Sequence, residues 1–411
     1  MKRTTVAILV AAAVAQGSAV AADAPARDAP VVFVLDPGQL AHAKEAIARG
    51  DAQLGAALAL LVERAETALE AGPYTVVDKT LEPPSGNPQD YMSFGPYWWP
   101  NPDTDDGLPY IRRDGEVNPE ARTDGSDSPR LGRMARSAHT LALAHTFTGR
   151  TEFAERAALL LRTWFLDADT RMNPHLQYGQ AIPGRVEGRG IGIIDTVRLT
   201  SAIDAAGLLA GSEFWTREEH EGLKDWFRDY LRWLQTSRHG RDERRAANNH
   251  GTFYDAQVAC FALFVGDTET ARTVLESARE NRIARQIDPD GRQPRELARA
   301  IGFHYSRYNL DAMFLLGRLG EHVGLDLWNY RSAESGGIRA ALDYIAPYAD
   351  ASREWPHGPI TDAQRVRLLP LLRQGYRVYR DPTYLDRIQE LPEAARRRDP
   401  TKLLYPVSIT R

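Results

Sequence analysis

Apolar residues recur three and four apart in one stretch of this chain after another, and convincing two-residue alternation is scarce. Such a chain has helices to pack and few strands to pair, so it must bury helix faces against other helices. The spacing predicts helices over about 36–72, where Ala56, Leu60, Leu61, Ala65, Ala68 and Leu69 share a face, and over 129–147, 152–165, 193–209 and 216–236. Further helices are predicted over 249–264, 267–285, 295–317, 335–346, 362–376 and 382–390. Ser128 ahead of Pro129, Thr151 ahead of Glu152, and Thr216 ahead of Glu218 and Glu219 supply start signals.

Two long stretches, 72–128 and 171–192, break the pattern with prolines and glycines. Connections of that length in a compact enzyme are usually functional surfaces or lids. No self-similarity appears at the roughly 34- or 40-residue periods of helical solenoids. Helices joined by alternating short and long connections suit an all-α, α/α toroid (an incomplete α/α barrel), with its long loops lining one cleft.

The first thirty residues read differently. Lys2 and Arg3 precede an apolar run from Val6 to Ala15, and Ala19-Val20-Ala21 fits a small-x-small cleavage site. This order predicts a cleaved signal peptide over 1–21, export to the periplasm or the medium, a flexible lead-in over 22–30, and one α/α toroid catalytic domain over 31–411. No later run approaches the ~18 apolar residues of a membrane span, so no membrane association is expected after cleavage.

Several function classes are disfavoured. Cys260 is the only cysteine and sits in the apolar run 258–264, which reads as core. Formal net charge is −4, and −6 without Lys2 and Arg3, so bulk capture of nucleic acid is not expected. The histidines are scattered and never four apart, so no metal or other cofactor is expected, and no Gly-x-Ser-x-Gly elbow supports a serine hydrolase.

Four segments carry polar groups of the kind that do chemistry. The first is Asn248-Asn249-His250 with Tyr254, which would form the first turns of the helix over 249–264. A helix N-terminus favours negative charge, so Asn249 and His250 would sit where a carboxylate could be received. The plainer reading makes Asn248 or Asn249 a helix cap and His250 a half-buried hydrogen-bonded residue. The second is the loop Tyr97-Trp98-Trp99, whose aromatic faces could stack on sugar rings or simply anchor the loop. The third contains Gln180, Arg185, Glu187 and Arg189 on glycine-flexed backbone, and Arg189 could fork onto a carboxylate. The fourth holds Arg299, His304 and Tyr305; Arg299 and Tyr305 are six apart and could meet if a helix starts or kinks near Gly302. A guanidinium beside Tyr305 would stabilise its phenolate.

Asn248-Asn249-His250, Glu296-Leu297-Ala298-Arg299 with Tyr305, and Pro96-Tyr97-Trp98-Trp99-Pro100 together resemble the alginate lyase superfamily of polysaccharide lyases. The Pro-Tyr-Trp-Trp-Pro loop, with Gly107 to Gly115 behind it, resembles the branch that includes glucuronan lyases. The resemblance covers roughly 85–310 and implies an α/α toroid and a catalytic quartet of Asn249, His250, Arg299 and Tyr305. The family's Arg-to-Tyr spacing is one residue longer, which brings His304 and Tyr308 into view as alternatives. Tyr97, Trp98, Trp99, Gln180, Arg189, Asn248, Tyr254 and His304 are expected to bind substrate.

The implied reaction is metal-independent β-elimination on an acidic polysaccharide, a β-1,4-linked D-uronate polymer such as alginate, polymannuronate or glucuronan. Its barrier is the weak acidity of C5–H beside a charged carboxylate, so donors must neutralise that charge while a base and an acid act. Mannuronate and glucuronate carry H5 and O4 on one side, so Tyr305 could serve as both base and acid. An L-guluronate unit would need His250 as base. A glycoside hydrolase on the same toroid is the alternative, and would need two carboxylates roughly 5–10 Å apart; Glu187, Asp195 and Asp255 are the candidates. A non-catalytic glycan binder is the third reading. Oligomeric state is not legible.

Overall fold

The computed structural model describes residues 31–407; the signal-peptide and lead-in readings fall on 1–30 and lie outside the described residues. The helix expected over 36–72 is two, α1 (Pro37–Ala48) and α2 (Ala52–Leu69). Gly50 takes a left-handed φ of 89° and Asp51 caps α2 by accepting from the Gln53 and Leu54 N–H groups. The irregular stretch holds three short strands, β1 (Met92–Phe94), β2 (Trp98–Trp99) and β3 (Ile111–Arg112). Helix α3 (Asp127–Thr148) starts two residues earlier than Pro129, with Ser126 at the N-cap position but no capping bond from its side chain, and α4 is Thr151–Phe165. Strand β4 (Tyr178–Ala181) pairs in parallel with β1, while β2 and β3 pair antiparallel with Trp98 opposite Arg112.

Gly190–Arg198 forms a 3-10 turn that runs into α5 (Leu199–Leu209). The capping box at Thr216 and Glu219 starts α6 (Arg217–Thr236), and α7 (Arg238–Arg244), unforeseen in the sequence, precedes α8 (Asn249–Val265) and α9 (Thr268–Ala278). The helix expected over 295–317 is broken into α10 (Pro294–Leu297) and α11 (Gly302–His322). The chain closes with α12 (Ile338–Ile345), α13 (Asp362–Val366), α14 (Leu369–Tyr379), α15 (Thr383–Glu390) and α16 (Glu393–Arg397).

These helices make an α/α toroid. Inner helices α3, α5, α8 and α11 pack side by side in that order, and α14 joins them in lining the interior; α4, α6, α9 and α12 lie outside. Sequence dictates the assignment. Every residue of α8 except His250, Leu263 and Val265 is buried, as a helix enclosed on all sides requires. In α6 only one stripe is buried, from Leu223 through Trp226, Phe227, Tyr230 and Leu231 to Leu234, and the rest is largely charged. Phe227 meets Phe261 and Phe264 of α8 at centroid distances of 5.0 and 5.4 Å, locking outer helix to inner. Truncating a ring such as Phe261 to alanine would cost about 3–5 kcal/mol.

One end of the ring has a floor. The backbone N–H groups of Phe33, Val34 and Leu35 all donate to the buried carboxylate of Asp204 on α5, the nearest at 2.6 and 2.7 Å. Arg318 and His322, in the last turns of α11, bond the Leu35 and Phe33 carbonyls at 2.6 and 2.9 Å. Among the described residues no helix is long and apolar enough to cross a membrane.

Candidate active site

The N-terminal ends of α3, α5, α8, α11 and α14 open onto one cavity of about 1070 Å³, walled on the other side by β2, β4 and the turn before α5. Inner helices of a toroid run parallel, so their free N–H groups and positive dipole ends converge on this mouth. An anionic substrate is drawn to such a place.

The break between α10 and α11 creates the central group. Residues 298–301 fold back so that the Arg299 guanidinium lies 3.9 Å from the Tyr305 ring centroid, and its Nη2 donates to the Tyr305 hydroxyl at 3.0 Å. Two contacts come from the long loop. Tyr305 donates to the Tyr97 hydroxyl at 2.5 Å, and Asp114 takes a forked pair of bonds from Arg299 Nε and Nη2 at 3.1 and 2.7 Å. Arg299 holds the Asp114 carboxyl below the usual range. The expected phenolate-favouring effect on Tyr305 is overridden: burial and the Tyr97 hydroxyl push its phenol well above the ordinary tyrosine value. Arg299 cannot reverse this, because Asp114 shares its charge.

Asn249 and His250 line the same cavity, each tied from behind by a carboxylate. Glu296, almost wholly buried, accepts from the Asn249 backbone N–H at 2.6 Å and from its amide Nδ2 at 2.7 Å. The Asn249 amide oxygen is buried with no partner, and burial raises the Glu296 carboxyl. Glu243 on α7, 1% exposed, sits 2.7 Å from His250 Nδ1. That contact leaves Nε2 for the cavity and fixes the tautomer while Glu243 is ionised. Glu243 escaped the sequence reading because it lies seven residues before His250, on a separate short helix whose existence no periodicity announced. Asn248 is the α8 cap residue, but its side chain makes no capping bond and it lines the cavity.

Of the other residues expected to bind substrate, Tyr97, Trp98, Gln180, Arg189 and His304 line the cavity. Gln180 adopts a left-handed φ of 50°, unusual for a side-chain-bearing residue, and its carbonyl and amide oxygens accept from Arg189 at 2.9 and 3.1 Å. Burial pushes the Arg189 guanidinium down to about 10. The glycines around it serve close approach rather than flexibility: a Cβ on Gly188 would fall 2.0 Å from the Gln177 carbonyl oxygen, and one on Gly192 2.5 Å from Gly179. His304 stacks on Tyr308, and burial with Arg307, Arg367 and Arg299 nearby drives its pKa to about 4, so it is neutral.

Two expectations need correction. Trp99 is absent from the cavity wall: it follows Trp98 on a strand, so it faces the other way, with its indole N–H on the Glu116 carbonyl at 3.0 Å and Arg113 over its ring. Tyr254 is buried, and its hydroxyl donates to the Leu234 carbonyl at 2.9 Å. Burial pushes that phenol up to about 12. Both residues anchor structure.

The three acids considered for a hydrolase are not paired across the cavity. Asp255 is buried in an ion pair with Arg282 at 2.7 Å, Glu187 is exposed off the cavity wall, and only Asp195 of the three lines it. Asp195 accepts from Tyr91, Ser93 and Gln180 at 3.0, 2.6 and 3.0 Å, which is a scaffold role. Among the described residues no group of three or more His, Cys, Asp or Glu is placed to hold a metal ion.

Comparisons with known proteins agree with this architecture. A family profile described as Alginate lyase matches residues 75–355. An alginate lyase from Bacteroides ovatus is 38% identical, with a TM-score of 0.86 over 92% of this chain and 99% of its own. Alginate lyase A1-III from Sphingomonas species A1 shares the fold at 14% identity, with a TM-score of 0.52 over 84% of this chain and 94% of its own. A tyrosine-to-phenylalanine variant of A1-III, complexed with tetrasaccharide, superposes with a TM-score of 0.57 at 14% identity, over 92% and 98% of the two chains. A search of curated proteins returns no match. The extent of the profile match and the similarity to the Bacteroides enzyme decide the matter: this chain belongs to the alginate lyase family and is a polysaccharide lyase.

Proposed function

We propose that this lyase cleaves a β-1,4-linked D-uronate polymer by metal-independent β-elimination, with alginate rich in mannuronate as the leading substrate and glucuronan as the other. The observation that carries the reading is the Tyr305 hydroxyl, held between the Arg299 guanidinium and Tyr97 in the cavity that Asn249 and His250 also line. Arg299 Nη1 takes part in none of its bonds to Asp114 or Tyr305, so two N–H donors remain for a uronate carboxylate. Asn249 and His250 add an amide and an imidazole at the positive end of α8.

With that charge quenched, Tyr305 reacts through its ionised form: the phenolate oxygen takes the C5 proton and becomes the phenol that then supplies O4. The C5–H electron pair becomes the C4–C5 double bond, the C4–O4 bond breaks, and the proton passes to O4. One group can do both because H5 and O4 share a side in D-mannuronate and D-glucuronate. Tyr97, Trp98, Gln180, Arg189, Asn248 and His304 would hold the sugars on either side. Similarity to the protein described as an alginate lyase from Bacteroides ovatus, at 38% identity, supports placing alginate ahead of glucuronan for this chain. The basic, apolar and small-residue order of 1–21 supports export to the periplasm or the medium, and 31–411 would act as one catalytic toroid.

One observation favours a second reading of the base. The Glu243 carboxylate at His250 Nδ1 leaves Nε2 as a proton acceptor, and the raised Tyr305 phenol suits a pure acid. That arrangement would serve an L-guluronate unit, whose elimination needs base and acid on opposite faces.

The test is incubation with polymannuronate, polyguluronate, mixed alginate and glucuronan, following both reducing ends and the ultraviolet absorbance of the conjugated double bond. Both signals should appear together. Tyr305→Phe should lose about 10²–10⁴-fold in turnover while still binding oligosaccharide. Reducing ends without absorbance would sink the elimination, and activity within about tenfold of wild type would remove Tyr305 from the chemistry.

A further inference from the structure

The cavity continues below Tyr305, along α11, and there its walls carry guanidinium groups that the elimination does not use. Arg136 projects from the third turn of α3, Arg198 from the head of α5, and Arg367 from the residues just before α14. All three are exposed in the cavity, and none forms an ion pair among the described residues. Arg136 has only a 3.3 Å bond to the Gly132 carbonyl. Two of them meet over Gly132, where a Cβ would lie at ordinary contact distance, 3.7 Å from Arg198 Cδ and 4.0 Å from Arg136 Nη2. The carboxylate among them, Asp311, is already bonded to Arg307.

Charge this concentrated on a concave, positive-ended wall calls for an anion. The chemistry of the anion is constrained. Guanidinium forks match planar carboxylates. Asp311 lies six residues beyond Tyr305, about 9 Å along the helix at 1.5 Å per residue. That is too far for the carboxylate of the unit undergoing elimination, which Arg299 receives. The layer is still coupled to the reacting site: Arg307 and Arg367 both act on His304, next to Tyr305. A uronate polymer carries a carboxylate on every unit, so a neighbouring sugar brings one to this depth.

Resting on the uronan-lyase reading above, we propose that Arg136, Arg198 and Arg367 form a second carboxylate subsite, which holds the uronate next to the one being cut. It gives the enzyme a preference for substrates charged on consecutive units.

The experiment measures calorimetric binding of mannuronate di-, tri- and tetrasaccharides to full-length Tyr305→Phe protein, alone and combined with R136A, R198A or R367A. Each removed guanidinium should weaken tetrasaccharide binding about tenfold to a hundredfold, and less for the disaccharide. In the active enzyme the same changes should raise KM more than they lower kcat. R198K, which keeps charge but loses the fork, should recover part of the loss. A carboxyl-reduced, neutral tetrasaccharide should bind all variants alike. Unchanged tetrasaccharide affinity in R198A and R367A, or equal weakening of the neutral oligosaccharide, would overturn the subsite. These binding readouts do not depend on turnover. Failure of the wild type to eliminate any of the four polymers would count against the function reading instead.

Discussion

His250 can present one ring nitrogen to a substrate in a fixed tautomer because Glu243 takes the other. The perturbation is Glu243→Ala, with Glu243→Gln beside it. The bond is 2.7 Å long and the carboxylate is 1% exposed, so water does not replace it readily. A hydrogen bond to a charged partner in such a place contributes about 1.5–3 kcal/mol. At about 1.36 kcal/mol per decade, losing it predicts a fall of about 10–150-fold in kcat/KM. Alanine frees the imidazole to rotate and should lie at the upper end. Glutamine can still accept from Nδ1–H through its amide oxygen and should lie at the lower end. Neither change should unfold the protein, since the second Glu243 oxygen is buried without a partner and removing that charge relieves a desolvation cost. The assay is the initial rate of absorbance increase on polymannuronate and polyguluronate, with melting temperature as control. A larger loss on polyguluronate would mark His250 as the base for that epimer. A folded Glu243→Ala enzyme within about threefold of wild type on both polymers would refute the argument.

Three further outcomes follow from the same geometry. Asp114→Asn should free Arg299 and loosen the long loop, so KM for oligosaccharides should change while the melting temperature moves little; because Arg299 depresses the Asp114 carboxyl, wild type should keep this latch at neutral pH and lose it only as pH falls through that lowered value, and an unaltered KM would contradict this. Glu296→Gln should retain more activity than Glu296→Ala, because a glutamine oxygen can still accept from the Asn249 backbone N–H and, once the Asn249 amide turns over, the glutamine NH2 can donate to its orphan oxygen; equal losses would show that Glu296 acts by its charge. The Tyr305 phenol is held up by burial and by Tyr97, so if Tyr305 is the base kcat/KM should climb on the alkaline side as its ionised form becomes populated, and a flat profile between about pH 7 and 10 would exclude a phenolate.

The helical core was legible because its apolar spacing is strong, from the stripe of α6 to the enclosed run of α8. Breaks were less so. Nothing in 295–317 except Gly302 hinted that the chain would fold back at 298–301, yet that fold is what lets Arg299 reach Tyr305. Trp98 and Trp99 looked equivalent in sequence, and a two-residue strand sends them to opposite sides. Tyr254 shares a helix face with His250 by spacing, but its longer side chain ends at a carbonyl of α6. Glu243 and Asp114 come from other elements, 7 and 185 residues away from the groups they hold, where no local rule applies. Proximity of Arg299 to Tyr305 was foreseen, but not the acid that shares its charge.

The floor of the toroid has a consequence for how the chain can be assembled. Residues 33–35 find their partners 171 residues later at Asp204 and 289 residues later at His322. Contacts of such sequence separation form late, because much of the chain must be ordered before they gain anything. A chain cut after α9 would leave that first segment with a carboxylate to grip and no α11 to close over it. Seating the opening segment is therefore a final event of folding, and its protection from hydrogen exchange reports when the ring has shut.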